Sequence, residues 1–200
     1  MSQCRSQGLI LLLFSSLSLS VKCQAIFKLN QYNIVYDGKF MPVFTAYMGQ
    51  PFSETWGISS YFYINGTEGS SWGEGLAGPT YTPLKGLSFG FLMGIQSNED
   101  QLWRVSPIVS FSVKRFSGFA AFEYGGERHR WDIMAFYQIK KLKLGVEMIR
   151  FYQMYAAGPR VEFSFIKNHP LTIFYSGMWD WTYGKPVSMF GLYSSFGQRK

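Results

Sequence analysis

A strict period of two constrains this chain more than any other feature. In Leu87-Ser88-Phe89-Gly90-Phe91-Leu92-Met93-Gly94-Ile95-Gln96 every odd position is large and apolar, and the even positions are Ser, Gly, Leu, Gly and Gln. After the polar run Ser97-Asn98-Glu99-Asp100-Gln101 the pattern returns. Trp103, Val105, Pro107, Val109, Phe111 and Val113 then share one face, and Arg104, Ser106, Ile108, Ser110, Ser112 and Lys114 the other. Successive side chains of a β-strand point to opposite faces, so this stretch is two strands and a loop. A soluble sandwich has the same alternation. Strand length, the placement of Trp and the N-terminal leader separate the two.

The leader spans residues 1–25 and reads as a secretory signal peptide. Arg5 supplies a short basic region, Gly8 to Val21 an apolar region diluted by Ser, and Cys23-Gln24-Ala25 the small residues that a signal peptidase reads. Cleavage after Ala25 removes both cysteines, leaving a chain with no disulfide and no thiol chemistry. It also removes Arg5 and Lys22, so the formal charge of +7 falls to about +5. That excess is scattered, its longest basic run being Lys140-Lys141-Leu142-Lys143, and it does not read as a nucleic-acid surface. Aromatics at 19% and 21 Gly, against only 16% charged residues, suit strands whose outer side meets an apolar solvent. No apolar run approaches the roughly 20 residues of a membrane-spanning helix.

The remaining chain, 26–200, is a succession of short alternating segments. Ile26–Tyr36 and Phe40–Met48 flank the hairpin dipeptide Asp37-Gly38. Trp56, Ile58, Phe62 and Ile64 then alternate with Gly57, Ser59, Tyr61 and Tyr63. Asn65 to Gly73 is Gly-rich and reads as a loop, and Gly75 to Thr82 as a poor strand broken by Pro79. Beyond the opening pair come Phe116–Tyr124, Trp131–Ile139, Leu142–Ile149, Val161–Phe165, Leu171–Trp179 and Val187–Phe196, with Phe151 to Gly158 read as a loop. Connections near 50, 84, 114, 140 and 168 are short; those near 69, 99, 127, 154 and 183 read as mostly longer and more polar. Outer-membrane barrels show this asymmetry between periplasmic turns and external loops, and strands of about ten residues cross a bilayer when tilted.

With long loops outside, Trp103 and Trp131 begin strands and Trp179 ends one at the external interface, all three on the apolar row, while Trp56 lies at the opposite rim. An interfacial aromatic girdle of this kind suits rings that are apolar at one end and polar at the other. Trp72 and Trp181 read as external-loop residues. Ten clear segments plus room for two more before residue 55 predict twelve strands, the alternative being ten and an N-terminal arm. The chain thus resembles the small monomeric outer-membrane β-barrel proteins of Gram-negative bacteria. That resemblance implies an all-β, antiparallel up-and-down transmembrane barrel in the outer membrane. Its implied partners are membrane lipid including lipopolysaccharide, the barrel insertion machinery and small polar solutes. The aromatic that ends such chains has a counterpart in Phe196, although Gly197-Gln198-Arg199-Lys200 follow it and the face of the last strand is contested between Val187, Met189, Tyr193 and Phe190, Leu192, Phe196.

Opposite the apolar rows lie Arg104, Glu123, Asp132, Gln138, Lys143, Glu147, Arg160 and Glu162. A cation on the lipid face near the midplane costs roughly 2–4 kcal/mol, so these charges are expected to line the lumen. They imply either a paired network that fills the barrel or a narrow channel for small polar solutes. Catalysis has one candidate, His129 near Glu127, Asp132 or Asp180; His169 belongs to the opposite rim. No metal-ligand spacing, phosphate-binding loop or serine-hydrolase elbow is present, and no cofactor is expected.

Overall fold

The computed structural model describes residues 25–67, 70–97, 100–126, 129–151, 153–165 and 171–197, so the leader and the His169 turn lie outside the described residues. Twelve antiparallel strands close into one barrel. In chain order they are β1 (Ile26–Tyr36), β2 (Lys39–Pro51), β3 (Trp56–Thr67), β4 (Ser70–Leu84), β5 (Leu87–Gln96) and β6 (Trp103–Val113). Then come β7 (Phe116–Glu123), β8 (Arg130–Ile139), β9 (Leu142–Phe151), β10 (Met154–Ser164), β11 (Leu171–Asp180) and β12 (Lys185–Phe196). Each strand pairs with its neighbours in sequence, and β1 closes the wall by pairing with β12 from Phe27↔Phe196 to Tyr36↔Val187. The N-terminal segment is therefore two wall strands and not an arm. Beside the seam, a Lys185–Asp37 ion pair of 2.7 Å ties the first hairpin to the last strand. The Lys185 hydrogen bond and charge hold the Asp37 carboxyl below its usual range.

The alternation sorts the wall into two faces. Phe89, Phe91, Met93 and Ile95 of β5, Ile58, Phe62 and Ile64 of β3, and Leu144, Val146 and Met148 of β9 are exposed on the outside. So much contiguous apolar surface suits hydrocarbon and not water. Trp56, Trp103 and Trp179 stand on this face close to strand ends, each roughly half exposed, and Trp131 shares it by parity. In β12 the contested face is settled: Phe190, Leu192 and Phe196 point outward, and Val187 and Met189 are buried inside.

Two stretches read as loops are strand. The β3–β4 ladder runs without a break from Trp56↔Tyr81 to Thr67↔Ser70, and β9 meets β10 as early as Phe151↔Met154. A glycine lacks a side chain but keeps both backbone hydrogen-bonding groups, and in a closed wall those groups must pair. Trp72 is consequently not an external-loop residue; it is 6% exposed and points inward. Pro79 is tolerated opposite Ile58 in the β3–β4 ladder, and on its other side β4 shifts register against β5 between Tyr81 and Leu84. The asymmetry of the connections is correspondingly smaller than expected. It survives between 97–102 and 124–129 on one rim and the two-residue turns 85–86, 114–115 and 140–141 on the other. We call these the loop rim and the terminal rim, the latter carrying Ile26 and Phe196.

Candidate functional site

Inward-pointing side chains divide the lumen into unlike flanks. From β9 through the β12–β1 seam to β4, the loop-rim half is apolar. Ile34, Val43, Tyr63, Trp72, Ile149, Met154, Ala156, Met178, Val187 and Met189 form one buried cluster there. These residues lie on the inner wall yet pack as a protein core does. From β4 round to β10, the inner wall is charged and hydrogen-bonded.

The charged flank has two centres. In the upper one, Arg130 of β8 reaches across the lumen to Glu74 of β4, Nη1 to Oε1 at 3.0 Å, and to the Tyr61 hydroxyl of β3 at 3.3 Å. Its guanidinium lies over the Tyr63 ring, 3.9 Å from the centroid. Glu123 is 3.7 Å from Arg130, Arg104 is 3.7 Å from Glu74, and Arg104 Nε donates to Gln96 at 2.7 Å. In the second centre, Arg160 of β10 donates to Glu147 at 2.8 Å and Glu162 at 3.0 Å, with its guanidinium 3.9 Å from the Phe174 ring centroid. Ser176 donates to the other Glu147 oxygen, Tyr193 donates to Glu162 at 2.7 Å, and Lys143 approaches Glu162 at 3.6 Å. Glu147 is 1% exposed, and at that burial a carboxylate needs partners on both oxygens, which it has. Between the centres, Asp132 has no ion pair among the described residues, and its Oδ1 is buried without a hydrogen-bond donor.

Rings meet across the lumen at the level of Arg130. Tyr63 of β3 and Phe151 of β9 stand half a circumference apart, yet their ring centroids are 6.4 Å apart. Trp72 packs edge-on to both, at 5.2 Å from Tyr63 and 6.2 Å from Phe151. Toward the terminal rim the inner wall is lined by small hydroxyl and amide side chains, among them Ser88, Ser110, Ser117, Gln138, Ser164 and Thr172, most of them at least partly exposed. The lumen is thus narrow at the loop rim and wider at the other end.

Arg104, Glu123, Asp132, Lys143, Glu147, Arg160 and Glu162 all lie on inner faces. The structure brings Glu147, Arg160, Glu162 and Lys143 together and places Arg104 and Glu123 in the other centre. Sequence reasoning missed Glu74, Arg130, Asp180, Trp72 and Phe151, all within a few residues of the loop rim. Extending the period of two through Asn65 and Gly73 would have turned Trp72 and Glu74 inward. Asp180, read as a loop residue, is fully buried; it accepts from the Tyr36 hydroxyl at 2.8 Å and from the Thr182 amide at 2.9 Å. His129 does not join it. Its ring stacks on Tyr124 at 4.8 Å, and no hydrogen bond or ion pair links it to Asp132 or Asp180 among the described residues.

No protein-family model matches this chain, and no curated protein sequence does. Solved structures do. The KdgM porin in complex with disordered oligogalacturonate superposes with a TM-score of 0.62 at 12% identity, over 84% of this chain and 99% of that one. Acinetobacter baumannii Omp33, an outer-membrane protein, gives 0.54 at 10% identity over 86% and 99%. Outer membrane phospholipase A from Escherichia coli gives 0.54 at 8% identity over 86% and 89%. At these identities the likeness is one of fold: this chain has the architecture of bacterial outer-membrane β-barrels. That one fold carries both porins and an enzyme, so its chemistry must be argued from the lumen itself.

Proposed function

We propose that this protein is a narrow outer-membrane channel for small polar solutes. The observation that carries this reading is the polar stripe: charged and hydroxyl groups follow one another along β4–β10 from Gln96 and Arg104 at the loop rim, through Asp132 and Arg160, to Gln138 and Ser110 near the terminal rim. A barrel of twelve strands has more room inside than one of eight, which side chains fill. The constriction is Tyr63, Trp72, Phe151 and Arg130. Acids outnumber bases along the stripe, so a polyanion such as the oligogalacturonate of the KdgM complex would meet repulsion here. Neutral or cationic solutes fit better.

Conductance of the folded, heat-modifiable protein in planar lipid bilayers tests the proposal. Small reproducible steps are expected, and Phe151→Ala, which removes one of the rings meeting across the lumen, is expected to enlarge them several-fold. A second reading, a closed barrel that serves as a structural or surface-binding protein, is favoured by the same ring contact. On that reading the exposed Trp181 and Tyr183 of the 181–184 turn would be the binding surface. Silence from both the wild type and Phe151→Ala, each shown to be folded, would decide for the closed barrel. Among the described residues His129 meets Tyr124 and neither Asp132 nor Asp180, so nothing there favours hydrolysis; Glu127 lies outside the described residues.

A further inference from the structure

Strands β3 to β10 carry five cations: Arg104, Arg130, Lys143, Arg150 and Arg160. Four of them turn inward and meet carboxylates. Arg150 does not. On β9 the inward row is Lys143, Gly145, Glu147, Ile149 and Phe151, so Arg150 follows Leu144, Val146 and Met148 on the outer face. Its Nε is buried without an acceptor, and its guanidinium enters no ion pair among the described residues. The neighbouring acids Glu147, Asp132 and Asp180 all face the other side of the wall.

Arg150 is nonetheless held in place. In register it stands between Trp131 of β8 and Tyr155 of β10. Its guanidinium lies 4.7 Å from the Tyr155 ring centroid, and that ring packs edge-on to Trp131 at 6.0 Å. This group is at the loop rim, one residue from the end of β9, on the outer face shared by Trp103 and Trp179. Tyr and Trp mark the depth of lipid headgroups, and an outward arginine is tolerated there because its cost falls to about 0–1 kcal/mol near the interface. A planar guanidinium matches two oxygens of a phosphate, and stacking on a ring fixes its orientation in advance.

We propose that Arg150, braced by Tyr155 and Trp131, is a binding site for the phosphate of a membrane-lipid headgroup in the leaflet at the loop rim. The ligand class is a phosphorylated lipid. With that rim outermost, it is the phosphorylated glycolipid of the outer leaflet. The site lies on the outer wall and is independent of whether the lumen conducts.

The test uses the full barrel, purified in detergent and shown to be folded by heat-modifiability. Binding of bisphosphorylated lipid A is measured by native mass spectrometry, with dephosphorylated lipid A and inorganic phosphate as separate arms. The expected result is wild-type binding that requires the lipid's phosphates, a loss of roughly tenfold in Arg150→Gln, as for one charge-assisted contact, and partial retention in Arg150→Lys. Tyr155→Ala, which removes the bracing ring and keeps the charge, is expected to weaken binding as well, and serves if Arg150→Gln does not fold. Equal binding by wild type and both variants would overturn the proposal. So would equal binding of dephosphorylated lipid A, or full competition by inorganic phosphate at the lipid's own concentration, which would make the site one for free phosphate.

Discussion

At the scale of single residues, the lumen separates carboxylates that hold the barrel together through ion pairs from one, Asp132, that makes none among the described residues. Glu147 accepts from Arg160 and Ser176. Glu147→Gln leaves Arg160 with Glu162 as its remaining acid partner, and is expected to destabilise the barrel by roughly 1.5–3 kcal/mol, the loss of a buried charge-assisted contact. The measurement is the denaturant midpoint of the folded band on unheated gels. Asp132 has no such partner, so Asp132→Asn is expected to leave that midpoint nearly unchanged while lowering cation over anion selectivity, read as a shift in reversal potential across a salt gradient. The residue types were legible in sequence because Lys143, Glu147, Arg160 and Glu162 alternate with large apolar neighbours on both sides. Their partners were not. An ion pair such as Arg130–Glu74 joins strands four apart around the wall, and nothing local in either segment records it.

At the scale of the element, the hairpins on the terminal rim are tight. Lys114 and Lys140 open two-residue turns with φ of 54° and 56°, a left-handed conformation that costs a residue with a Cβ on the order of 1–2 kcal/mol. Lys114→Gly and Lys140→Gly are each expected to stabilise the barrel by about 0.5–1 kcal/mol, once the glycine's extra freedom in the unfolded chain is subtracted. Slower unfolding in urea on transfer from lipid vesicles would show it. The same scale explains where the sequence misled. The period of two located the cores of all the strands, but it underestimated β4 and β10 at the loop rim. Gly66, Gly73 and Gly158 have nothing to say about which face is apolar, and the pattern fades there although the ladder continues. Gly94 shows why small residues recur in this wall. A Cβ there would come within 1.9 Å of the Gly75 carbonyl oxygen on β4. The glycine reports how closely two strands approach, a fact of pairing and not of turns.

At the scale of the whole molecule, the uneven lumen places its apolar cluster where the chain closes on itself. Ile34 of β1, Val43 of β2, Met178 of β11, and Val187 and Met189 of β12 bring the first two and last two strands into one buried group. Val187→Asn puts an amide into that group and is expected to lower the heat-modification temperature by several degrees, more than Ser110→Asn at a partly exposed inner position. Equal effects at the two sites would argue that the cluster contributes little. A wall fastened at its joint by ladder hydrogen bonds alone can part sideways at modest cost. Here, unzipping β1 from β12 would also tear a hydrophobic core in two and wet both halves. A side door into the bilayer is the one opening that the seam keeps shut.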